Sequence, residues 1–270
     1  MKNIYLIFLA LLLVSCGSRK EADLVVYNAV VYTVDDQFSV KEAFAVKDGK
    51  LLDLGSSEEI LKKYKGEMLD AGGKSVYPGF IDGHSHFYGY GKSLQDVDLV
   101  GTKSWEEILE KLKTFSLDNP EGWIIGRGWD QNDWNNNKFP NNEKLNVLFP
   151  GRPVILTRID GHAAIANKFA LDLAGVKPGQ KLTGGEVETV NGGLTGILID
   201  NAEGLVFSKV PPASEKQIHD AFLDAQKNCF AAGLTTVTDC GIGYGLIPVI
   251  EKLQQDNELK MRMYAMLSDS

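Results

Sequence analysis

The sequence predicts an α/β protein in which a small β-rich segment precedes a larger region of alternating strands and helices. In residues 23–69 the apolar runs are short and separated by turn residues, which indicates strands. After Gly79, short apolar runs alternate with amphipathic segments, a pattern typical of βα units with parallel pairing. No repeat of the length used by solenoid proteins is present, so the sequence does not indicate a solenoid.

The N-terminal residues are predicted to be a processing signal and not part of the fold. The apolar run at residues 4–14 is shorter than the about 20 residues that a membrane-spanning helix needs. Residues 13–16 read L-V-S-C and resemble a bacterial lipoprotein signal, in which the cysteine is lipidated. We expect residues 1–15 to be removed and residues 16–22 to form a tether. Lipidated Cys16 would then anchor the protein to a bacterial membrane, on the periplasmic or cell-surface side. An ordinary secretory signal is the alternative.

The charge balance argues against a nucleic-acid partner. The chain has 28 Lys and Arg against 36 Asp and Glu, a formal net charge of −8. Phosphate backbones are bound by clustered basic residues, and no basic stretch beyond Arg19-Lys20 stands out. We therefore expect no nucleic acid among the partners.

Two cysteines follow Cys16 in the chain. Cys229 falls within a helical pattern and Cys240 comes just after a predicted strand. Their separation does not decide whether they pair. We interpret both as free, buried thiols; a disulfide formed in an oxidising compartment is the alternative.

Residues 23–76 are predicted to form part of a small β-sandwich domain. Asp48-Gly49 separates two apolar runs, which is a hairpin signal. Ser56, followed by Glu58 and Glu59, predicts the start of a short helix that ends near Tyr64. The predicted strands cover residues 24–34, 43–47 and 50–54.

The region after Gly79 is predicted to alternate between strands and helices. Ser104 and Glu107 have the spacing of a capping box. Ser214 predicts the start of a long amphipathic helix that ends at Gly233. The predicted strands cover residues 123–126, 154–156, 234–238 and 261–266, and the predicted helices cover residues 104–115, 214–232 and 246–253.

Two of the four histidines lie one residue apart, in the stretch P-G-F-I-D-G-H-S-H at residues 78–86. The apolar run is predicted to be a buried strand, with His84 and His86 at its C-terminal end. Residues i and i+2 of a strand project from one face, so both imidazoles can bind one metal ion. The alternative is a pair of surface or capping histidines. Asp82 lies on the same face, and we leave open whether it acts near the metal or only shapes the strand end.

This stretch resembles the signature of the amidohydrolase superfamily, whose members carry H-x-H at the end of the first barrel strand. Further motifs are similar to those of one branch, amidohydrolase family 3, the group that includes N-substituted formamide deformylase-like proteins. These motifs are G-R-G-W-D-Q at residues 126–131, R-I-D-G-H at residues 158–162, G-G-E at residues 184–186, T-G-I-L at residues 195–198 and G-L-T-T-V-T-D at residues 233–239. Their order and spacing match from residue 23 to the end.

The resemblance implies a (β/α)8 metal-dependent hydrolase barrel over residues 77–270, with an insertion at about residues 103–210. It also implies a β-sandwich built from both ends of the chain. Family members are longer than this chain, and their further ligands (a Lys or Glu, two histidines) and a catalytic Asp come from later strands. We therefore expect the barrel to be incomplete and the general base to lie beyond residue 270. We also expect residues 17–270 alone to be poorly soluble and inactive.

The chemistry implied by the resemblance is hydrolysis of a carbon–nitrogen bond in a small amide or N-acyl substrate. A divalent ion, most readily zinc, held by His84 and His86 activates water and polarises the carbonyl. The resemblance places His162 near the mouth of the site, and we expect it to contact substrate. Arg158 and Asp130 are expected to line the same pocket, or else to form a buried ion pair. Trp129 is expected to form an apolar wall there, with a core position as the alternative.

Three further interpretations concern single residues and the function class. Trp134, like Trp129, is predicted to lie either in an apolar wall of the pocket or in the core. His219 is predicted to face solvent from an amphipathic helix. The alternative functions are another H-x-H barrel hydrolase, such as an esterase, and a non-catalytic lipoprotein that retains the fold.

Overall fold

The computed structural model describes residues 18–268, which divide into two compact units, one ending at Phe80 and the other beginning at Ile81. The predicted signal and the predicted lipidation site at Cys16 lie outside the described residues. None of the helices in the described part of the chain has the length and apolarity to cross a membrane.

The first unit contains a four-stranded sheet in the order β5-β4-β1-β6 and a three-stranded sheet in the order β3-β2-β7. Its elements are β1 (Lys20–Tyr27), β2 (Val30–Tyr32), β3 (Val40–Lys41), β4 (Ala43–Lys47), β5 (Lys50–Gly55), α1 (Ser57–Lys63), β6 (Tyr64–Asp70) and β7 (Ser75–Val76). A core that includes Val25, Ala43, Ala45 and Ile60 joins helix α1 to the larger sheet.

Local sequence signals account for most of this unit. Asp48 and Gly49 both have positive φ, 50° and 70°, as the two-residue hairpin between β4 and β5 requires. Ser56 and Glu59 form a complete capping box at the start of α1. Strand β1 begins at Lys20, inside the segment predicted to be a tether, because it pairs with β6 from its first residue.

The second unit contains a six-stranded sheet in the order β13-β14-β12-β11-β10-β9. Its strands are β9 (Val97–Asp98), β10 (Ile124–Trp129), β11 (Val154–Arg158), β12 (Ala163–Ala166), β13 (Gly185–Val190) and β14 (Gly193–Asp200). The remaining elements of the unit are β8 (Phe80–Ser85), α2 (Phe87–Ser93), α3 (Trp105–Asp118), α4 (Glu143–Leu148), α5 (Lys168–Ala174), α6 (Glu203–Phe207), α7 (Glu215–Ala231), β15 (Leu234–Gly243), α8 (Ile247–Gln255) and β16 (Arg262–Ser268).

Parallel pairing holds for only half of this sheet. Strands β9, β10 and β11 are parallel, whereas β11, β12, β14 and β13 pair antiparallel. Short turns explain the antiparallel pairs β11–β12 and β13–β14, because they reverse the chain and leave no room for a crossover helix. Asn191 and Gly192, both with positive φ, form such a turn between β13 and β14. The pair β12–β14 is connected through α5 and β13. The expectation of parallel pairing throughout was therefore wrong for this region, which the sequence analysis treated as an insertion.

A three-stranded sheet in the order β16-β15-β8 contains the strand with the paired histidines. Strands β15 and β16 are parallel, and helices α2, α7 and α8 contribute to a shared core with this sheet. This part shows the predicted strand–helix alternation. A closed eight-stranded barrel is not present within residues 18–268.

The strand that carries the histidines is less buried than predicted. Phe80 is 53% exposed and Ile81 is 71% exposed, so the expectation of a buried strand was wrong. The reason is position: β8 is an edge strand whose neighbour in the sheet is β15.

Gly91 allows helices α2 and α7 to approach closely. A Cβ atom at Gly91 would lie 1.9 Å from the backbone oxygen of Ala221. Since a backbone oxygen cannot rotate away, we expect Gly91→Ala to lower the free energy of unfolding by about 1–3 kcal/mol. Urea unfolding measures this. Gly89→Ala is the matched control, because its Cβ would meet the His86 side chain at an ordinary 3.5 Å. Equal stability of the two variants would contradict this packing.

Candidate metal centre

His84 lies at the C-terminal end of β8, His86 is the residue between β8 and α2, and both are exposed. Their ring centroids are 5.8 Å apart and the ring planes are perpendicular. Among the described residues, no hydrogen-bond partner reaches either imidazole. Their nitrogen atoms are therefore free to bind a ligand.

The spacing of the two rings suits a shared ion. With a Zn–N bond of about 2.1 Å, two imidazoles at a tetrahedral angle have centroids about 5 Å apart. The observed 5.8 Å is close to this value. In residues 18–268 no group of three or more His, Cys, Asp or Glu side chains is arranged to hold a metal. The pair therefore supplies two imidazole donors, which fit half of a four-coordinate shell.

Neighbouring polar groups fix the end of β8. The Asp82 carboxylate accepts a hydrogen bond from the backbone N–H of His84 at 3.0 Å. The Ser85 hydroxyl donates to the carbonyl of Thr238 in β15 at 2.9 Å. Asp82 therefore shapes the strand end, one of the two roles left open by the sequence.

Asp239 is a buried carboxylate close to the end of β8 that was not among the predicted site residues. It is 2% exposed, and its Oδ2 accepts a hydrogen bond from the backbone N–H of Tyr88 at 2.9 Å. This bond joins β15 to the first turn of α2, directly after His86, where a carboxylate is favourable. Its position at the end of the G-L-T-T-V-T-D motif was the available signal.

A second group of charged side chains lies around the turn between β11 and β12. Arg158 makes two hydrogen bonds to the Asp160 carboxylate, at 2.9 and 2.7 Å. The Arg158 guanidinium holds the pKa of Asp160 down, at about 2. The same guanidinium lies 5.5 Å from the ring centroid of Phe139. Arg158 is therefore fixed on two sides.

His162 follows in the same turn and joins it to the end of β14. Its Nδ1 lies 2.9 Å from Oδ1 of Asp200, and its backbone N–H donates to Asp160 at 3.1 Å. Asp200 has a positive φ of 47°, which is uncommon outside glycine. Because the His162 side chain is 69% exposed, its other nitrogen is open to a ligand.

Glu203 completes this group, which we call the acid–histidine cluster: Arg158, Asp160, His162, Asp200 and Glu203. Within the described residues its buried Oε1 has no hydrogen-bond partner. Burial raises the pKa of Glu203 to about 7, and repulsion from Asp200 and Asp160 adds to the shift. Sequence reasoning missed Asp200 and Glu203. Asp200 is the last residue of an apolar strand, and that was the usable signal.

The remaining predicted residues are placed as follows. The pKa of Arg158 is raised mainly by its hydrogen bond to Asp160, and Asp130 adds a smaller contribution; the Asp130 carboxylate accepts from the N–H of Asn132 at 2.9 Å. Trp129 is 0% exposed and donates a hydrogen bond to the carbonyl of Leu156 at 2.8 Å. It therefore occupies the core position that was the alternative to a pocket wall. Trp134 is likewise buried, with a bond to the carbonyl of Thr102 at 3.2 Å.

Three other predictions concern the environments of His219, Cys229 and Cys240. His219 is half-buried and contacts Glu258 at 2.9 Å and Asp220 at 3.2 Å, so it does not simply face solvent. These carboxylates raise its pKa, Glu258 having the larger effect. Cys229 and Cys240 are free thiols, as predicted, and both are half-buried.

Comparisons with known proteins agree with the motifs. A sequence model of the amidohydrolase family matches residues 67–267, which include both histidines of β8. The chain is 34% identical over 215 residues to YtcJ of Bacillus subtilis, which is named as an amidohydrolase, covering 77% of this chain and 41% of that protein. It is 31% identical over 193 residues to an N-substituted formamide deformylase of Arthrobacter pascens, covering 69% of this chain and 36% of that protein.

A solved structure has a similar fold. An uncharacterised metal-dependent hydrolase from Pyrococcus furiosus superposes with a TM-score of 0.68 at 28% identity. The match covers 90% of this chain and 50% of that one. The chain thus spans half, or less than half, of the length of these relatives.

Proposed function

Because the chain belongs to amidohydrolase family 3, we propose that it takes part in metal-dependent hydrolysis of a carbon–nitrogen bond in a small, non-peptide amide. The observation that carries the proposal is the pair of unpartnered imidazoles of His84 and His86 at the end of β8. The likeness to an N-substituted formamide deformylase supports an amide or N-acyl substrate.

His84 and His86 are the residues that would hold the ion, through one nitrogen each. Zinc is a divalent ion that imidazole donors commonly bind; when bound it would lower the pKa of a water molecule to about 7 and polarise a carbonyl. The protein keeps the two donors in place: Asp82 fixes the backbone at His84, and Asp239 fixes the turn after His86. Rigid support of this kind maintains the geometry that metal ligands need.

The acid–histidine cluster is the proposed substrate-contacting region. His162 presents its exposed nitrogen while Asp200 holds the opposite nitrogen, which orients the ring. Arg158 and Asp130 flank the same turn, where Arg158 is held by Asp160. Trp129 has no exposed surface to offer a substrate, so we assign it to the core.

The proposal is tested by following amine release from an N-alkyl formamide and acid release from a matched alkyl formate. We expect a purified protein that continues through the later barrel strands to cleave the amide, to lose this activity on removal of metal by a chelator and to regain it with added zinc; residues 17–270 alone are expected to be inactive. Amide hydrolysis that a chelator leaves unchanged would contradict the metal mechanism. Cleavage of the ester alone would show that the protein is an esterase-type hydrolase.

We also propose that the protein is a lipoprotein anchored through Cys16 to a bacterial membrane. The support is the L-V-S-C sequence that follows the apolar run at residues 4–14. We expect Cys16→Ala to move the protein from the membrane fraction to the soluble fraction, because lipidation supplies the anchor. Fractionated cells probed by immunoblot give the result, with Cys229→Ala as the matched cysteine control. Retention of the Cys16→Ala variant in the membrane would refute the anchor.

A further inference from the structure

A cavity of about 310 Å³ lies in the second unit, lined by residues from α2, α3, β10 and the segment before α7. Its size is at the lower end of the range for small-molecule sites. Its lining includes Tyr88, Lys92, Asp96, Phe115, Glu121 and Trp123.

The aromatic walls of this cavity are held by three separate cores. Tyr88 packs on Phe222, with ring centroids 5.2 Å apart. Phe115 packs against the core on one side of the six-stranded sheet, and Trp123 packs against a second core that includes Ile155. The hydrogen bond from Gln95 Nε2 to the carbonyl of Gln217, at 2.7 Å, ties the end of α2 to α7 beside the cavity. The cavity is therefore preformed.

Asp96 is the unusual group in this lining. It is half-buried, and no donor among the described residues hydrogen-bonds to its carboxylate. Lys92 also lines the cavity, but the two side chains form no ion pair in the described part of the chain. Asp96 is partly shielded from water and has no protein partner in the described part of the chain, and a bound cation would compensate the reduced hydration of its carboxylate.

We propose that this cavity binds a small organic cation, a protonated amine carrying an apolar or aromatic group. Asp96 is the counter-ion, and Tyr88, Phe115 and Trp123 enclose the apolar part. The faces of aromatic rings attract cations, so the walls and the carboxylate favour the same ligand charge. The proposal does not depend on the proposed metal chemistry.

The ionisation of Asp96 supports this assignment. Burial raises the pKa of Asp96 to about 6, and Lys92 partly offsets the shift. Glu121 is the remaining charged residue in the cavity lining. Outside the cavity, Asp96 also borders two surface depressions whose linings include these charged residues: Asp98, Glu107, Glu110, Lys111 and Arg127. A cation binds the ionised carboxylate, so its affinity should rise as the pH increases through about 6.

Calorimetric titration of the purified protein with 2-phenylethylamine tests the proposal. We expect saturable binding that strengthens with pH, since the amine itself stays protonated near neutral pH. Phenylpropionate, which has similar shape and opposite charge, should not bind. Asp96→Asn should weaken amine binding at least about tenfold. Lys92→Gln should strengthen it by removing a repelling charge.

Glu121→Gln is the matched control, because it removes a negative charge from the same lining. We expect it to change the affinity less than about twofold, as is usual for an exposed charge. Equal losses in Asp96→Asn and Glu121→Gln would reduce the effect to general electrostatics and overturn the site. The proposal would also be overturned if Lys92→Gln bound the amine more weakly, if phenylpropionate bound, or if the parent protein did not bind the amine. The pH series needs no variant, and an affinity that is flat across pH 6 would also overturn it.

Discussion

Replacing His84 and His86 together by alanine is expected to abolish metal-dependent amide hydrolysis. The two imidazoles are the only donors within the described residues that we assign to the ion, and their removal leaves no nitrogen ligand at the end of β8. Loss of groups that merely orient metal ligands costs about 10–100-fold in metal affinity or activity. We therefore expect the double variant to lose more than about 100-fold in kcat/KM.

The double variant should keep its fold, because both side chains are exposed and neither ring makes a hydrogen bond in the described part of the chain. Circular dichroism and an unchanged unfolding midpoint would establish this. His219→Ala is the matched control, since it removes a histidine that contacts Glu258 and not the candidate metal centre. Parent-like hydrolysis by the double variant would remove His84 and His86 from the mechanism.

Trp129→Ala is expected to lower the free energy of unfolding by about 3–5 kcal/mol. Trp129 is fully buried, packs on Trp134 with ring centroids 6.0 Å apart, and donates a hydrogen bond to Leu156. Truncation leaves a large cavity and removes the donor from a buried carbonyl. Urea unfolding followed by circular dichroism gives the value.

Trp129→Phe distinguishes a core residue from a substrate wall. Phenylalanine retains much of the packing and loses the hydrogen bond, so we expect a smaller loss of stability and an unchanged KM. The opposite outcome, an altered KM with parent-like stability in both variants, would return Trp129 to the substrate pocket.

Local signals predicted the elements that depend on neighbours in sequence. Ser56 and Ser214 begin helices as predicted, and both form complete capping boxes, which had been predicted only at Ser104. At Ser104 the box is incomplete, because the Glu107 side chain accepts from the N–H of Lys103 and not from that of Ser104. The antiparallel half of the six-stranded sheet was missed, although Asn191-Gly192 is itself a hairpin signal.

Part of the candidate site could be predicted from the sequence, and part depends on contacts between residues far apart in the chain. The i, i+2 spacing of His84 and His86 predicted that the two imidazoles lie close together, and their ring centroids are 5.8 Å apart although His86 lies just beyond the end of β8. The contacts of Asp239 with Tyr88 and of Asp200 with His162 join residues far apart in sequence, and no local pattern reports them. The exposure of Ile81 was also unpredictable, because an apolar run does not reveal whether its strand lies at an edge.

The most direct test of the central claim is anomalous diffraction from a crystal of the metal-loaded protein. Data collected at the absorption edge of zinc locate the ion without reference to activity. We predict one anomalous peak within about 2.1 Å of a nitrogen of His84 and of a nitrogen of His86. An actively hydrolysing, metal-loaded protein whose peaks all lie away from these two imidazoles would contradict the account.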